Sequence, residues 1–552
     1  MSAAGGTMCA RISLRRGRTR YRRAIRCVAR APPVADDGQG LVLGYDFGTS
    51  ALKAALFDKA GRVVASGTGP YKLLLPEPGW AEQYPTDWWE AMGAVTPRLL
   101  QDSGAEASRI AAIGVTAQMC GVVPVDAEGE ALVNALIWLD TRSTGEADRL
   151  IGGWPKIGGY GLINLIRWLR LTGGAPNPAG KDPPTKMMWL KANAPAAWAR
   201  THRLLDVKDY IVHRLTGRFA TSFDCAHLTW LFDARAQHKQ WSATLMRRAG
   251  VARDLLPDIA RATDIVGGLT AEAAERLTLR EGTPVVAGLG DVSAAALAAG
   301  APEHGAPHLG LGSSAWLGAM LPKSRVNPLT NIGSISGADG KDYLLVAAQE
   351  NGGSCVGWAL RTLGFADGDF AGFERCAGEA RPRVDGPMFL PWLAGERVPA
   401  DDKNLRGGFL NLGPNDGRAE MARAVYEGVA LNVRWAMSDF DRLAGSAGKA
   451  LRVVGGAAVS RLWCQIFADV LGRPVEPIEN PVLGGPLGAA MAASVAAGWH
   501  KKLADAAMMT RTGGRFEPAP ELAPLYDLRF RRFAAAHKKL RPWYAGARGS
   551  GA

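Results

Sequence analysis

The stretch Gly44-Tyr45-Asp46-Phe47-Gly48-Thr49-Ser50 places one carboxylate and two hydroxyls around a glycine. Two apolar runs flank it, Leu41-Val42-Leu43 before and Ala54-Ala55-Leu56-Phe57 after. Short apolar runs bounded by glycine are typical of buried strands. The pattern therefore predicts a strand, a short turn and a second strand, and an ordinary β-hairpin corner is the alternative interpretation.

The side chains of this turn suit the phosphates of a magnesium nucleotide. Gly48 lets the backbone approach an oxyanion because it has no Cβ. The N–H groups and hydroxyls of Thr49 and Ser50 can donate to phosphate oxygens, and Lys53 adds a positive charge. Asp46 can hold the metal, directly or through water, since hard cations prefer oxygen ligands. The spacing is not that of a GxxxxGK[ST] loop.

Length and composition indicate a globular protein of two or three domains. The chain has 552 residues, of which 47% are hydrophobic and 21% charged. It contains no run of 18 apolar residues, so we expect no membrane association through a transmembrane helix. Its seven cysteines are scattered without a CxxC pair, which favours a reducing compartment over a disulfide frame or structural zinc.

The positive charge is concentrated at the N-terminus. Residues 1–40 hold nine Arg and two Asp, a net charge of +7, so the other residues carry +6 of the total +13. We expect a disordered basic extension on a cytoplasmic protein; a transit peptide to a plastid or mitochondrion and an RNA-binding arm are the alternatives. A charged tail binds any polyanion, so no nucleic-acid partner is predicted.

The order of predicted elements indicates an α/β layered core. Strands broken by glycine fill residues 41–67, with a tight hairpin turn at 58–61. A helix is expected at 85–100 with Thr86 as its cap, followed by strands at 110–115 and 121–125 and a turn at 126–129. The Gly- and Pro-rich segment 152–184, with an apolar helix at 161–171, is predicted to be a peripheral insertion, although the role of its central part, 159–174, stays open.

Residues 308–318 repeat the plan of strand, Gly-rich turn and strand. Two copies of one nucleotide-binding unit, facing each other across a cleft, would explain the repeat. Three Ala-rich helices are expected in the second half, at 417–447, 460–472 and 486–498. The boundary between the halves is predicted near 288–305.

Two further segments carry candidate groups for phosphate chemistry. Asp291 follows the apolar run 283–287 between glycines, where a carboxylate can take a proton from a hydroxyl that attacks phosphorus. A helix N-cap is the alternative for Asp291, and the two roles are compatible. The sequence Gly312-Ser313-Ser314 offers a second set of hydroxyls and N–H groups for phosphate.

Two more segments indicate ligand contacts. Gly455 and Gly456, followed by Ser460, would let a nucleotide lie against the backbone where a strand leads into a helix, although such turns are commonly structural. Trp138, Asp140 and Arg142 combine an aromatic ring with opposite charges and suit polyol hydroxyls, with a surface ion pair as the alternative.

In this order, the segments resemble the FGGY family of carbohydrate kinases across about residues 41–540. The resemblance is carried by Asp46-Phe47-Gly48-Thr49-Ser50 with Lys53, residues 114–121 with 135–142, residues 78–83 with Asp87-Trp88-Trp89, Gly290-Asp291, Gly312-Ser313-Ser314, residues 389–407, and Gly455-Gly456 with Ser460-Arg461. The whole ordered set is specific, whereas any one motif is not.

The resemblance implies two actin-like (ribonuclease H-like) ATPase domains flanking a catalytic cleft. The N-terminal domain, 41–292, would bind sugar and the C-terminal domain, 293–540, would bind ATP, between the disordered segments 1–40 and 541–552. Asp291 would be the catalytic base and Asp46 the Mg²⁺ ligand. ATP would contact Thr49, Ser50, Lys53, Gly312, Ser313, Ser314, Gly455, Gly456 and Ser460; the sugar would contact Gln118, Met119, Cys120, Trp138, Asp140, Arg142 and Asp291.

Departures from the family pattern bear on the substrate. Xylulokinases usually have Met-His-Gly where this chain has Met119-Cys120-Gly121, and a thiol is a weak donor. Ser313 and Ala457 are milder changes. D-Xylulose is the first expectation; ribulose, glycerol and erythritol type acceptors are alternatives, and so is a non-catalytic sensor or an ATPase machine on the same fold. The oligomeric state is open, a homodimer included.

Overall fold

The computed structural model describes residues 40–301 and 303–546. The predicted basic extension, apart from Gly40, lies outside these ranges, as do residues 547–552 of the predicted tail. The elements are numbered along the chain from the first strand.

The N-terminal half is an α/β unit. Its strands are β1 (Leu41–Phe47), β2 (Ala51–Phe57), β3 (Val63–Pro70), β4 (Glu82–Gln83), β5 (Ile110–Ala117), β6 (Val123–Val125), β7 (Ala135–Leu136), β8 (Lys156–Ile157), β9 (Tyr160–Gly161), β10 (Arg203–Leu205), β11 (Ala220–Ser222), β12 (Phe232–Asp233), β13 (Gln240–Trp241), β14 (Asp258–Ala260), β15 (Ile265–Gly268), β16 (Pro284–Val286) and β17 (Leu289–Gly290). Its helices are α1 (Pro85–Ser103), α2 (Thr144–Ile151), α3 (Leu162–Thr172), α4 (Pro183–Asn193), α5 (Pro195–Arg200), α6 (Val207–Thr216), α7 (Phe223–Leu228), α8 (Ala243–Ala249), α9 (Ala271–Leu277) and α10 (Asp291–Ala298).

The C-terminal half repeats this composition with fewer strands. The strands are β18 (His308–Leu311), β19 (Ala315–Leu321), β20 (Gly333–Ser336), β21 (Tyr343–Gln349), β22 (Met388–Leu390), β23 (Gly408–Leu410), β24 (Leu451–Val454) and β25 (Val475–Pro477). The helices are α11 (Ser354–Thr362), α12 (Phe370–Glu379), α13 (Arg418–Ala444), α14 (Arg461–Leu471), α15 (Gly484–Ala496), α16 (Leu503–Ala506) and α17 (Ala523–Gly546).

Each half is built on one mixed sheet of the same plan. The first sheet has the order β15-β16-β5-β1-β2-β3, with β17 also paired to β5, and the second has the order β20-β21-β19-β18-β24-β25. In both, an antiparallel hairpin (β1–β2 or β18–β19) adjoins parallel strands (β5 or β24). The predicted repeat is therefore confirmed, with a three-residue turn at 48–50 in one sheet and at 312–314 in the other.

Most local predictions agree with the structure. The hairpin turn at 58–61 is present, and Gly61 donates its N–H to the Asp58 carbonyl at 3.0 Å. Helix α1 runs to Ser103, and its cap is Tyr84 rather than the predicted Thr86. The prediction of Thr86 as the cap is wrong because the helix already starts at Pro85, whose fixed φ suits the first helical position.

The tail prediction is too long at its start. Helix α17 continues to Gly546, so residues 541–546 are helical rather than disordered. Two contacts with the C-terminal half explain this order. The Tyr544 hydroxyl donates to the Arg406 carbonyl at 2.8 Å, and Arg541 lies 3.5 Å from Asp402.

The two halves meet where helix α15, from the C-terminal half, lies on the first sheet. A Cβ at Gly44 would lie 2.0 Å from the Pro486 carbonyl oxygen, and one at Gly114 would lie 1.9 Å from that of Ala489. Within the junction, a Cβ at Gly488 would lie 2.1 Å from the carbonyl oxygen of Ala294 on helix α10. Glycine on both sides thus brings helix and sheet backbones into direct contact.

A second contact joins α7 to strand β20. The buried His227 ring accepts the Ser336 N–H through Nδ1 at 2.8 Å and donates through Nε2 to the Thr172 carbonyl at 2.8 Å. Burial lowers the pKa of His227 to about 4, so the ring is neutral at physiological pH and keeps this pattern. Thr172 belongs to the segment predicted to be peripheral, and this part of it lies between the halves instead.

Among the helices of the described ranges, none combines the length and apolar character needed to cross a membrane.

Substitution of Gly114 by Ala should destabilise the protein by about 3 kcal/mol, because the added methyl group overlaps the backbone of α15. Urea unfolding followed by tryptophan fluorescence measures the change. Gly357→Ala in α11 is the matched control: no heavy atom of the described chain lies within 4 Å of its added Cβ beyond the neighbours and helix backbone, so about 0.5–1 kcal/mol of stabilisation is expected. Equal effects of the two changes would contradict the close helix–sheet contact.

Candidate active site

The first turn, residues 48–50, is held from two sides. The Tyr71 hydroxyl donates to the Gly48 carbonyl at 2.5 Å, and the indole Nε1 of Trp138 donates to Thr49 Oγ1 at 3.0 Å. Ser50 at the tip is exposed, whereas Thr49 is half-buried. Trp138, predicted to contact sugar, thus lies directly beside the predicted phosphate turn.

Two glutamines lie beneath this turn. Gln83 Nε2 donates to the Thr49 carbonyl at 2.6 Å, and Gln118 Nε2 donates to Gln83 Oε1 at 2.6 Å. Gln118 Oε1 is buried and accepts no hydrogen bond from the part of the chain that the structure describes. Gln118, predicted to bind sugar, therefore supports the turn and keeps one acceptor free.

Asp46 lies at the end of β1, across the hairpin from Lys53. The Lys53 ammonium is 3.7 Å from its Oδ2. Burial raises the pKa of Asp46, and Lys53 opposes that rise. A Cβ at Gly485, in the first turn of α15, would lie 2.4 Å from the same Oδ2. Asp46 and Lys53 are therefore brought together at the domain junction.

Asp291 is the first residue of α10, directly after strand β17. Its Oδ1 accepts the Val292 N–H at 2.8 Å, so the carboxylate satisfies a helix N–H. The helix cap itself is Gly290, where a Cβ would lie 2.2 Å from Met119 Sδ. The pKa of Asp291 is raised to about 7 by burial first and by the charge of Asp46 second.

The loop 119–121 lies against Gly290, the residue before Asp291. Asp206 accepts the N–H groups of Cys120 and Gly121 at 3.1 and 2.8 Å, and Lys186 Nζ donates to the Cys120 carbonyl at 2.9 Å. Cys120 has a φ of +64°, a conformation that these contacts stabilise. Burial raises the pKa of its thiol, and the charges of Asp182 and Asp206 raise it further. The thiol is therefore protonated and unreactive as a nucleophile.

Asp140 and Arg142 form a buried ion network. Arg142 pairs with Asp140 and with Glu82, each at 2.7 Å, and only 2% of its side chain is exposed. The guanidinium lies 3.7 Å from the ring centre of Trp80 and 4.9 Å from that of Trp189. Contact of either residue with sugar stays a prediction, and their observed bonds fix the loop that bears Trp138.

The second turn, residues 312–314, is supported by a glycine pair that sequence reasoning missed. Gly353 donates its N–H to the Gly312 carbonyl at 2.7 Å, and Gly352 donates to the Ser313 carbonyl at 2.9 Å. A Cβ at Gly352 would lie 2.6 Å from the Ser314 carbonyl carbon. The sequence did contain a signal for this support. The pair Gly352-Gly353 directly precedes helix α11, much as Gly455-Gly456 lie shortly before helix α14.

Gly455, Gly456 and Ser460 adjoin this turn. Gly455 has a φ of +107°, and a Cβ there would lie 2.5 Å from the Leu311 carbonyl oxygen. Gly456 is exposed. Ser460 Oγ accepts the Trp463 N–H at 3.1 Å and so caps α14, which gives it a structural role alongside its predicted nucleotide contact.

The start of α15 connects the two turns. Gly485 contacts Asp46, and a Cβ at the adjacent Gly484 would lie 3.3 Å from Val454, the residue before Gly455. Gly455 in turn contacts the strand that leads into the second turn. The sequence-predicted phosphate, metal and adenosine residues are thus brought to one region between the domains.

A charged cluster across the cleft was also missed. Lys181, from the segment predicted to be peripheral, lies 3.9 Å from Glu350 of the C-terminal half, and Arg397 pairs with the same carboxylate at 2.6 Å. Burial lowers the pKa of Lys181, and Glu350 opposes that effect. Local sequence gives no signal for this pairing because the three residues are far apart along the chain.

The donor set fits a magnesium nucleotide. Backbone N–H groups and hydroxyls at both turns, with Lys53 nearby, suit phosphate oxygens. No group of three or more His, Cys, Asp or Glu side chains with metal-binding geometry occurs in residues 40–301 and 303–546. A single carboxylate such as Asp46 still fits Mg²⁺, which is commonly held by one or two carboxylates, phosphates and water.

Comparison with known proteins identifies the class. Sequence profiles of the FGGY family of carbohydrate kinases match residues 41–298 with the family's N-terminal domain and residues 310–497 with its C-terminal domain. The chain therefore belongs to the FGGY family of carbohydrate kinases. It is a carbohydrate kinase with the family's two-domain actin-like fold, which implies the use of ATP and a small-molecule sugar acceptor.

Three similar proteins show the spread of substrates. The xylulose kinase of Escherichia coli K12 is 29% identical over 508 residues, 92% of this chain and 100% of that protein. The crystal structure of xylulose kinase from Rhodospirillum rubrum has a TM-score of 0.78 at 28% identity, covering 92% of this chain and all of that one. Gluconate kinase from Lactobacillus acidophilus has a TM-score of 0.79 at 26% identity, covering 92% and 99%.

Replacing Arg142 with Met should destabilise the protein by about 3 kcal/mol, because Asp140 and Glu82 would keep buried charges without their partner. Urea unfolding measures this change. Lys156→Met is the control, since the Lys156 and Asp148 side chains are 56% and 66% exposed and their ion pair contributes little. A loss of sugar affinity with unchanged stability would instead indicate that Arg142 contacts the sugar.

Proposed function

We propose that the protein transfers the γ-phosphate of ATP to a primary hydroxyl of a ketose or polyol, with D-xylulose as the leading substrate. The observation that supports this most is the placing of Asp291. The charge of Asp46 acts on its carboxylate, and a Cβ at the preceding Gly290 would lie 2.2 Å from Met119 Sδ of the proposed sugar loop.

Asp291 acts as the general base. A carboxylate with an ordinary pKa is a weak base, whereas one with a pKa of about 7 takes a proton more readily while staying largely charged at slightly alkaline pH. The proton moves from the sugar hydroxyl to the free carboxylate oxygen as the hydroxyl oxygen attacks phosphorus in line. Holding the two reactants in this geometry supplies much of the rate enhancement.

The two turns and the domain junction hold ATP. Thr49, Ser50 and Lys53 donate to phosphate oxygens from one side, and the 312–314 turn donates from the other. Gly455, Gly456 and Ser460 form the nucleoside side of the site. Mg²⁺ bound at Asp46 would neutralise charge that develops on the transferred phosphoryl group.

The sugar site is formed by Met119, Cys120 and Gln118, with Trp138 at its edge and Asp140 and Arg142 behind. The acidic groups around it are Asp46, Asp182, Asp206, Asp224 and Asp291, against the buried ammonium groups of Lys186 and Lys208. This charge balance favours a neutral ketose or polyol over an anionic sugar acid such as gluconate.

Cys120 is the observation that favours an acceptor other than D-xylulose. A ribulose, glycerol or erythritol type acceptor would fit if it needs no imidazole donor at that position. A sensor without turnover is the remaining alternative. We further propose a cytoplasmic location and leave a homodimer as the oligomeric hypothesis.

ADP release, measured over a panel of ketoses, polyols and D-gluconate, separates these candidates. We expect the highest kcat/KM for D-xylulose and the lowest for D-gluconate. Gluconate as the best substrate would contradict the charge reasoning. Sugar binding without ADP release from any member would favour the sensor.

Asp291→Asn should reduce sugar phosphorylation by about 10³-fold, because the amide cannot accept the proton. Sugar affinity, measured by calorimetry without nucleotide, should stay within about threefold, since the amide keeps the size and most hydrogen bonds of the carboxyl group. Asp254→Asn, on the exposed surface, is the control and should be neutral. A variant at position 291 with normal turnover would exclude Asp291 as the base.

The kcat/KM for sugar should fall as the pH drops through about 7. The folded-state pKa of Asp291 is raised to about 7, so the carboxylate is protonated below that pH and cannot act as a base. A pH–rate profile from pH 5 to 9 measures this acidic limb. A profile that stays flat to pH 5 would contradict it.

A further inference from the structure

The loop 287–290, which precedes Asp291 and includes the short strand β17, is held by two buried side chains from neighbouring helices. Asp224, in the first turn of α7, accepts the Gly290 N–H at 2.9 Å through Oδ2. Lys208, in the first turn of α6, donates to the Ala287 carbonyl at 2.8 Å. Ala287 and Gly290, the two ends of this loop, are therefore each held by a side chain from outside it.

Asp224 does more than start its own short helix. Its carboxylate is fully buried, and its other oxygen accepts the Ser222 hydroxyl at 2.6 Å and the Cys225 N–H at 2.9 Å. Three donors converge on the group, an arrangement that suits a charged carboxylate. One of the three is the amide of the residue directly before Asp291.

The loop has little freedom to adopt another path. Gly288 has a φ of +73°, and a Cβ there would lie 2.2 Å from the Val115 carbonyl oxygen. A Cβ at Gly290 would lie equally close, 2.2 Å, to Met119 Sδ. The pairing of β17 with β5 and the bond to Asp224 together fix where the Gly290 amide points, directly before α10 begins.

We propose that Asp224 is a positioning residue for phosphoryl transfer, which fixes the Gly290 amide so that the Asp291 carboxylate faces the acceptor hydroxyl. The inference rests on the proposed role of Asp291 as the base. Asp224 itself contacts neither sugar nor nucleotide, since it is buried beneath the loop.

The charge of Asp224 adds an electrostatic effect to this geometry. The titratable groups that face Asp291 are Asp46 on β1, Cys120 in the loop 119–121, Asp206 before α6 and Asp224 on α7, with Lys208 beside the latter two. Burial contributes most to the raised pKa of Asp291, and the three carboxylates add to it. Removing the Asp224 charge should therefore lower the pKa of Asp291.

Two variants separate charge from position. Asp224→Asn removes the charge and keeps the size, whereas Asp224→Glu keeps the charge and moves the carboxylate by one methylene group. Asp258→Asn on β14 is the matched control, because its side chain is 90% exposed and, among the residues that the structure describes, its ion pair is with Arg253.

For Asp224→Asn we expect the acidic limb of kcat/KM to move down by roughly 0.5–1 pH unit, with kcat on the plateau about tenfold lower. For Asp224→Glu we expect the limb to stay within about 0.2 unit and kcat to fall at least about tenfold. Sugar affinity, measured by calorimetry without nucleotide, should change by less than about threefold in both, since neither change touches the sugar loop.

An Asp224→Asn protein that loses stability but keeps the wild-type limb and plateau would overturn the proposal. If that variant does not fold, the glutamate variant decides: wild-type kcat overturns the proposal, and a lower kcat with an unmoved limb supports it. A wrong assignment of Asp291 as the base gives a different result from a wrong role for Asp224. In that case the wild-type protein would lack the acidic limb of kcat/KM, or Asp291→Asn would keep its activity.

Discussion

The close contact between helix α15 and the first sheet is the constraint on which the rest of the structure depends. Gly44 and Gly114 on the sheet allow the helix backbone to lie against the strands, and Gly488 allows α10 to pack on the other side. The helix belongs to the C-terminal half, so this packing fixes the position of that half against the first sheet. Asp46 and the start of α10 are placed by the same contact.

The cleft formed in this way concentrates negative charge. The charges of Asp46, Asp206 and the buried Asp224 all act on Asp291. The nearby ammonium groups of Lys53 and Lys208 are already paired with carboxylates. Bound phosphate adds further negative charge, so a cation at Asp46 suits the same place. The raised pKa of Asp291 thus reflects burial first and the summed charges of these carboxylates second.

Local sequence patterns predicted the repeated hairpins, the turns at 48–50 and 312–314, the strand end before Asp291 and most long helices. Each is set by residues close together in the chain, such as Gly48 beside Asp46 or Pro85 at a helix start. The packing of Arg142 over Trp80 and near Trp189 could not be predicted, nor could the pairing of Lys181 with Glu350. These contacts join residues far apart in sequence. Neither hydrophobic periodicity nor turn residues predict such contacts.

As a carbohydrate kinase, the protein should move a phosphoryl group from ATP to a sugar hydroxyl. Phosphorus-31 NMR of the full chain with ATP, Mg²⁺ and D-xylulose tests it directly. We predict one new sugar-phosphate resonance for each ADP formed, and no ADP without sugar. ADP and inorganic phosphate released at the same rate without sugar, or no reaction with any ketose or polyol, would contradict the account.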